Sequence, residues 1–321
     1  MRVAVVAVVG RTNAGKSTLV NQLVGEKVSI VSPCEQTTRN TIRGIVSEKR
    51  GQLVLLDTPG LHKAVGTLGR LLNRMARRSA AGTDVVCVVF DAAEPPQLED
   101  VGWMQRIARE RPEKTVFVLN KADCSPFFDA EYKEAWEKAS ESGAEGEQGK
   151  VENSAVRLGA SASACPAPVW VKAIATTEGG ANAVADALFA LADEGEPLFD
   201  EDIVTDYPRK LTIADVIREK YIGKLFQELP HELGILVNRI DECKGGEWRV
   251  KADVIVNRES QKPMAIGKGA CIVKGVRKAA EKELREIYGV KVSLELTVRV
   301  ERNWLKNERL LVEMGYLGEL V

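Results

Sequence analysis

The chain has 321 residues, 45% hydrophobic and 28% charged, with a formal net charge of −1. That balance is the one of ordinary globular protein and excludes wholesale disorder, and no apolar run approaches the roughly 20 residues needed to span a bilayer. The charge is uneven: residues 1–202 carry 23 Lys+Arg against 28 Asp+Glu, and residues 203–321 carry 22 against 18, giving −5 and +4, so the second half is the better partner for a polyanion.

The length suggests about two domains of roughly 150 residues each. Six cysteines (Cys34, Cys87, Cys124, Cys165, Cys243, Cys271) are scattered without C-x-x-C spacing, and His62 and His231 are the two histidines. This argues against a metal site or disulfide framework and suits a reducing compartment.

In chain order, MRVAVVAVV lacks the cationic leader of a signal peptide and reads as a strand over 3–9. It runs into GRTNAGKST, residues 10–18, and then into LVNQLVGEKV, which has helical spacing. Gly10, four residues, Gly15, Lys16, Ser17 is the phosphate-loop pattern in its required strand, loop, helix setting. Glycines let the backbone approach a phosphate chain, and the helix start supplies free N–H groups and a positive dipole end. Gly10, Asn13, Ala14, Gly15, Lys16, Ser17 and Thr18 are therefore the expected cradle. Lys16 would neutralise the β- and γ-phosphates, and Ser17 would ligate Mg²⁺, which relies on few protein oxygens.

QTTRNTIRG, 36–44, reads as a switch loop: Thr38, with Thr37 as the neighbouring alternative, would close onto Mg²⁺ only when the γ-phosphate is present. LVLLDTPG, 53–60, sets Asp57 at a strand end, where a carboxylate helps hold the metal, and Gly60 where its N–H can sense the γ-phosphate. Further buried strands are read at 85–91, 115–120 and 169–174. The strand at 115–120 ends in NKAD, 120–123. Asp123 can accept from the guanine N1–H and exocyclic amine, a pair adenine lacks, while Asn120 braces the loop and Lys121 lays its stem along the base. The nucleotide read from these residues is GTP.

Two-face apolar runs separated by helical segments predict an α/β domain with a doubly covered, mostly parallel sheet. Its functional loops should sit at the strands' carboxyl ends. Residues 141–168, rich in Ala, Ser, Gly and Pro, read as a flexible insertion. An amphipathic helix over 184–194 and an acidic, Pro-punctuated connector follow, which places the domains at 1–200 and 201–321. In the second domain a helix (211–229), two strands (232–243 and 247–259, joined by Lys244-Gly245-Gly246), a Gly-interrupted loop and helix, a strand (291–301) and a final helix predict a small α+β fold.

With these motifs in place, the sequence resembles the Era family of GTPases over nearly its whole length. GRTNAGKS, QTTRNTIRG, DTPGLH and NKAD carry the likeness in the first half, and VTDYPRKLTIADVIREK (204–220) and NWLKNERLLVEMGY (303–316) in the second. The resemblance implies a P-loop GTPase followed by a type II-like KH domain. It also implies binding of the small ribosomal subunit near the 3′ end of its RNA, and a role in that subunit's assembly. Leu61 stands where Ras-like enzymes carry a water-orienting glutamine, so catalysis needs other electrostatic help. Asn13 occupies the position that helps hold potassium in related GTPases, which makes K⁺ stimulation an expectation. Lys16, Thr38, Gly60 and Asn13 are then the expected catalytic set. The family's guanine-oxygen loop falls at Thr176-Thr177.

A KH domain clamps nucleic-acid backbone with a G-x-x-G loop between helices. Here Gly267-Lys268-Gly269 is one residue short when its flanks are matched, and reading Gly267 to Ala270 as G-x-x-A breaks the downstream register. Residues 260–280 nevertheless hold Lys262, Lys268, Lys274, Arg277 and Lys278 and no acid, so RNA contact is expected there and at Gly267 and Gly269. Two rival readings stand beside this one. The first is a non-catalytic Era-like protein retained on the small subunit, favoured by the short loop and the insertion and opposed by the intact Lys16, Ser17, Asp57, Asn120 and Asp123. The second is a GTPase that works on tRNA modification or another protein target, disfavoured by the missing modification domain and by the C-terminal echoes. A monomer is the default off the ribosome. A bacterial cytoplasm, or a mitochondrial matrix or plastid stroma after removal of a presequence, each offers a small ribosomal subunit.

Overall fold

The computed structural model describes residues 1–31, 38–61, 66–80, 82–145, 166–225, 229–243 and 245–316. Thr37, His62, Lys244 and residues 146–165 of the expected insertion lie outside the described residues. The chain divides into two compact units: Met1–Ser29, Thr41–Ala64 and Leu71–Thr205 form the first, and Ile30–Asn40, Val65–Arg70 and Asp206–Val321 the second.

The first unit runs β1 (Arg2–Val9), α1 (Lys16–Val24), β2 (Ile42–Glu48), β3 (Gly51–Asp57), α2 (Gly66–Ser79), β4 (Val85–Asp91), α3 (Leu98–Glu110), β5 (Thr115–Asn120), α4 (Asp129–Glu145), β6 (Val169–Lys172), α5 (Glu178–Leu191) and β7 (Asp193–Glu194). The strand order is β2-β3-β1-β4-β5-β6, with the two-residue β7 also pairing to β1. β1, β3, β4, β5 and β6 are parallel, as their continuous apolar runs require. β2 and β7 are additions the sequence reading missed, and both pair antiparallel. β2 emerges from the tail of the expected switch loop: a two-residue turn at Lys49-Arg50 folds it onto β3. Gly44 lets it pass α1, since a Cβ there would lie 2.8 Å from Val24 Cγ2. Registers pair Val8 with Asp57 and Asp91 with Asn120, so the polar residues leave the sheet at one end. Under α3 and α4, Phe90, Phe117, Tyr132 and Trp136 form a ring-on-ring core.

The second unit contains α6 (Arg209–Ile222), α7 (Leu229–Glu232), β8 (Gly234–Glu242), β9 (Glu247–Val256), α8 (Gln261–Ile266), α9 (Cys271–Tyr288), β10 (Lys291–Val300) and α10 (Glu308–Glu313). The sheet order is β10-β9-β8, with β10 parallel and β8 antiparallel to β9. Period-2 alternation on β9 buries Trp248, Val250, Ala252 and Val254. Val276, Ala280 and Leu284 of α9 join them at helical spacing. The helix expected over 211–229 stops at Ile222, because Gly223 takes the C-cap. No described helix is long and apolar enough to cross a membrane.

Segment 38–40 is held in this second unit by buried polar contacts. Arg39, 1% exposed, donates from Nη1 to the Leu233 carbonyl at 2.8 Å, and its guanidinium lies 6.0 Å from the Tyr316 ring centroid. Asn40 Nδ2 donates to the Tyr207 hydroxyl at 2.8 Å, which in turn donates to Asp215 Oδ2 at 2.9 Å. Asp215 Oδ1 receives Arg218 Nη2 at 2.6 Å, and Arg218 is itself buried. Gly315, at φ 79, leaves room for Leu211, whose Cδ1 a Cβ would approach to 2.7 Å. Tyr207, Asp215, Arg218, Gly315 and Tyr316 are residues of the two C-terminal sequence echoes, which thus converge on one cluster.

Candidate functional site

Gly10 to Gly15 connects β1 to α1, and Lys16 and Ser17 open the helix. Gly10 adopts φ 147, and only glycine fits, since a Cβ there would sit 2.3 Å from the Val89 carbonyl oxygen. Gly15 (φ 97) and Asn13 (φ 61) are left-handed, which turns the backbone into a concave loop at a helix N-terminus, the standard setting for phosphate. Lys16 is 6% exposed and donates from Nζ to the Arg11 carbonyl at 2.8 Å. Burial pushes its pKa down to about 8, opposed by Asp57 and Asp100.

Gly60 lies against this loop. A Cβ would come within 2.7 Å of Thr12 N and 2.9 Å of Lys16 Nζ, so the D-T-P-G segment approaches as closely as only glycine allows. The approach is fixed by backbone bonds, Thr12 N–H to the Leu61 carbonyl at 3.1 Å and Leu61 N–H to the Gly10 carbonyl at 3.0 Å. Thr58, fully buried, donates to the Val8 carbonyl at 2.9 Å. Asp57 is fully buried, and both its oxygens lack a hydrogen bond of regular geometry. Desolvation raises its pKa against the opposing influence of the Ser17 hydroxyl, Lys16 and the Ser29 hydroxyl. A desolvated carboxylate beside a hydroxyl, both hard oxygen donors, fits Mg²⁺. Thr38 is buried and belongs to the segment grouped with the second unit.

The NKAD segment is tied to the phosphate loop through Asn120. Its Nδ2 donates to the Ala14 carbonyl at 2.8 Å, and its Oδ1 accepts from Ala175 N–H at 2.9 Å. One amide therefore joins three loops, and Gly15 is required beneath it, since a Cβ there would fall 2.2 Å from Asn120 Nδ2. Asp123 is exposed at the loop's end. Thr177 caps α5, its Oγ1 accepting from Gly180 N–H at 3.2 Å and its own N–H going to the Ile174 carbonyl at 2.9 Å. Of the two expected threonines, Thr177 therefore has its N–H engaged within this turn.

Sequence reading missed a polar array beside this site. Lys121 Nζ meets Asp91 Oδ2 at 2.5 Å, and Arg11 lies 3.3 Å from Asp100 and 3.0 Å from Glu94. Tyr132 donates its hydroxyl to the Asp91 carbonyl at 3.0 Å and lies 3.2 Å from Asp100 Oδ2. The array fixes Lys121 and the phosphate-loop residue Arg11 to α3 and α4. A signal existed: Asp91 ends the run VVCVVFD as Asp57 ends LVLLD.

In the second unit, residues 267–270 connect α8 to α9 as a four-residue turn. Gly267 (φ 76), Gly269 (φ 62) and Ala270 (φ 61) all have positive φ. The loop is thus not short: Ala270 fills the fourth position in a conformation glycine prefers. Matching side-chain identity on the flanks hid this, because the backbone counts residues and not methyl groups. Lys268, Lys274, Arg277 and Lys278 are exposed around the turn, and Lys262 is half-buried on α8.

Comparison with known proteins agrees with this arrangement. A family model described as "50S ribosome-binding GTPase" matches residues 5–121, and a KH domain model matches residues 228–305. GTPase Era of Treponema denticola is 36% identical over 318 residues, covering 98% of this chain and 100% of that protein. GTPase Era of a Geobacter species is 32% identical over 311 residues, covering 97% and 96%. Among solved structures, an Aquifex aeolicus Era variant bound to GDP and AlF4⁻ aligns with a TM-score of 0.82 at 30% identity, over 98% of this chain and 99% of that one. An Era complex with MgGDPNP and nucleotides 1506–1542 of 16S ribosomal RNA aligns with a TM-score of 0.80 at 31% identity, over the same shares.

Proposed function

The chain belongs to the Era family of GTPases, and from that premise we propose that it binds and hydrolyses GTP and, through its KH domain, engages 16S ribosomal RNA near the 3′ end during small-subunit assembly. The single observation that carries the nucleotide half is the Asn120 strut, which holds the phosphate loop, the guanine-reading loop and the loop before α5 in one register. The 16S fragment in the Era complex favours the small subunit, although the matched family model is described by the large one.

Bound Mg²⁺ supplies charge neutralisation on the phosphates, and Ser17, Asp57 and Thr38 are the residues to hold it. In this reading Lys16 leaves the Arg11 carbonyl for the phosphate oxygens, and its ammonium, kept dry by burial, acts at full electrostatic strength there. Gly60 brings its backbone against Lys16 with no side chain between them. Asp123 selects guanine, Lys121 is held alongside by Asp91, and the Thr176 N–H is the donor for the guanine oxygen. Phosphoryl transfer then needs positioning and electrostatics more than covalent help from the protein. The exposed cations around Gly267–Ala270 receive the RNA backbone. The relatives come from bacteria, which supports a bacterial cytoplasm over an organelle.

The test is GTP turnover with Mg²⁺, together with binding of a 16S 3′-end fragment, for the native chain and for Lys16→Ala. Turnover lost in the variant with RNA binding kept is the expected result. A native chain that binds the fragment and never hydrolyses GTP would make it a structural relative instead.

A further inference from the structure

The first unit has a basic groove that the nucleotide site does not use. Residues 58–83 contain Lys63, Arg70, Arg74, Arg77 and Arg78 and not one acid, inside a first half whose net charge is −5. General composition therefore does not explain the cluster. Arg77 on α2 faces Arg106 and Arg109 on α3 across a groove that Leu61, Leu98 and Glu99 also line. Arg106 is fixed in place: Nη2 donates to the Arg77 carbonyl at 3.2 Å, Nε meets Glu110 at 2.9 Å, and its Cζ lies 5.9 Å from the Trp103 ring. Arg74, Arg77 and Arg78 are exposed and have no acidic partner among the described residues, and Arg109 only a distant one, 3.9 Å from Glu110. Leu98 stands 88% exposed at the rim.

We propose that this α2–α3 groove is a second RNA-binding surface, gripping phosphate backbone through Arg77 and Arg109, which line it, and through Arg74, exposed three residues before Arg77 on the same helix, while Leu98 packs on a sugar or base face. Unpaired guanidinium groups over a groove suit phosphate oxygens, which they meet with paired donors. An acidic protein segment is the competing occupant. Phosphate is favoured over it by the RNA-binding reading of the KH domain and by the planar, paired donors of the guanidinium groups. Leu61 follows Gly60 directly and lines the groove's inner end, so the surface adjoins the segment that lies against Lys16. The proposal rests on the RNA reading above and extends it to a second site.

The experiment compares the native chain with the triple variant Arg74→Gln, Arg77→Gln, Arg109→Gln. Two probes are used, the isolated 16S 3′-end fragment and whole small ribosomal subunits, each titrated across salt. The variant should keep native GTP turnover and fragment affinity, which shows that it folds. Its affinity for whole subunits should fall about tenfold or more, with a log K against log salt slope shallower by roughly 2 to 3, one lost ion for each phosphate contact. Unchanged subunit affinity and slope would overturn the groove while leaving the KH reading intact. Failure of the native chain to bind the fragment would instead overturn that reading. A crosslinker at position 109 that captures a ribosomal protein and no RNA would overturn the RNA assignment.

Discussion

Replacing Ala270 by glycine should make the protein more stable and its RNA loop more receptive. Ala270 sits at φ 61, ψ 29, the left-handed region in which a Cβ crowds the following carbonyl. Relief of that crowding is worth about 1–2 kcal/mol. Glycine's greater freedom in the unfolded chain takes back about 0.4–1 kcal/mol, so the net gain is about 0.5–1 kcal/mol. Its neighbours give internal controls. Gly269, at φ 62 with open space where its Cβ would stand, should lose about 0.5–1 kcal/mol on change to alanine, the same two effects with the sign reversed. Gly267→Ala should lose more, since its Cβ would press within 2.7 Å of Ile272 Cγ1 and 2.9 Å of Ile272 N. Urea unfolding of the full chain, followed by tryptophan fluorescence, reads all three, and affinity for the 16S 3′-end fragment reads the gain in backbone access. An Ala270→Gly variant that is less stable than the native chain, or a harmless Gly267→Ala, would refute the turn geometry on which the KH reading of this loop depends.

Gly60→Ala should reduce kcat about 100-fold or more while leaving GDP affinity within a few-fold, because the added methyl lies 2.9 Å from Lys16 Nζ; single-turnover rates and nucleotide titration separate the two effects. Asp91→Asn should raise the Kd for GTP about tenfold, ~1.4 kcal/mol, with little change in kcat, since it removes the charge that holds Lys121; fluorescent-nucleotide titration is the check, and an unchanged Kd would show that Lys121 needs no anchor. Potassium should raise turnover over an equal concentration of sodium, and Asn13→Ala should abolish the difference while keeping nucleotide affinity; equal rates in the two salts would remove Asn13 from the catalytic set.

Much of the nucleotide site was readable because its chemistry fixes both residue type and spacing. Lys16, Asp57 and Asn120 each end or begin an element whose apolar run announces it. What stayed hidden depends on contacts between distant residues. Tyr132 and Asp100 are 32 residues apart, and nothing local marks them as partners. β2 was missed because a strand's pairing is set by its neighbour, and TIRGIVSE shows its period only when laid on β3. The 267–270 turn was misread because alanine tolerates, at a cost, a backbone conformation that sequence matching assigns to glycine. Thr177 lies in the expected guanine-oxygen loop, and its capping bond to Gly180, which shows why a helix starts there, is visible only in the fold.

The burial of Arg39 and Asn40 among Leu233, Tyr207 and Asp215 has a practical consequence for anyone wishing to study the halves separately. A fragment cut near residue 205 would retain the whole nucleotide loop yet leave Arg39 without the carbonyl and aromatic ring that enclose it, and would strip the switch segment of its supports. The complementary fragment would hold Arg218 and Asp215 around a space shaped for a side chain it no longer owns. Kinetic constants measured on the GTPase piece would describe a loosened switch, and their agreement with those of the whole chain would itself be a surprise requiring explanation.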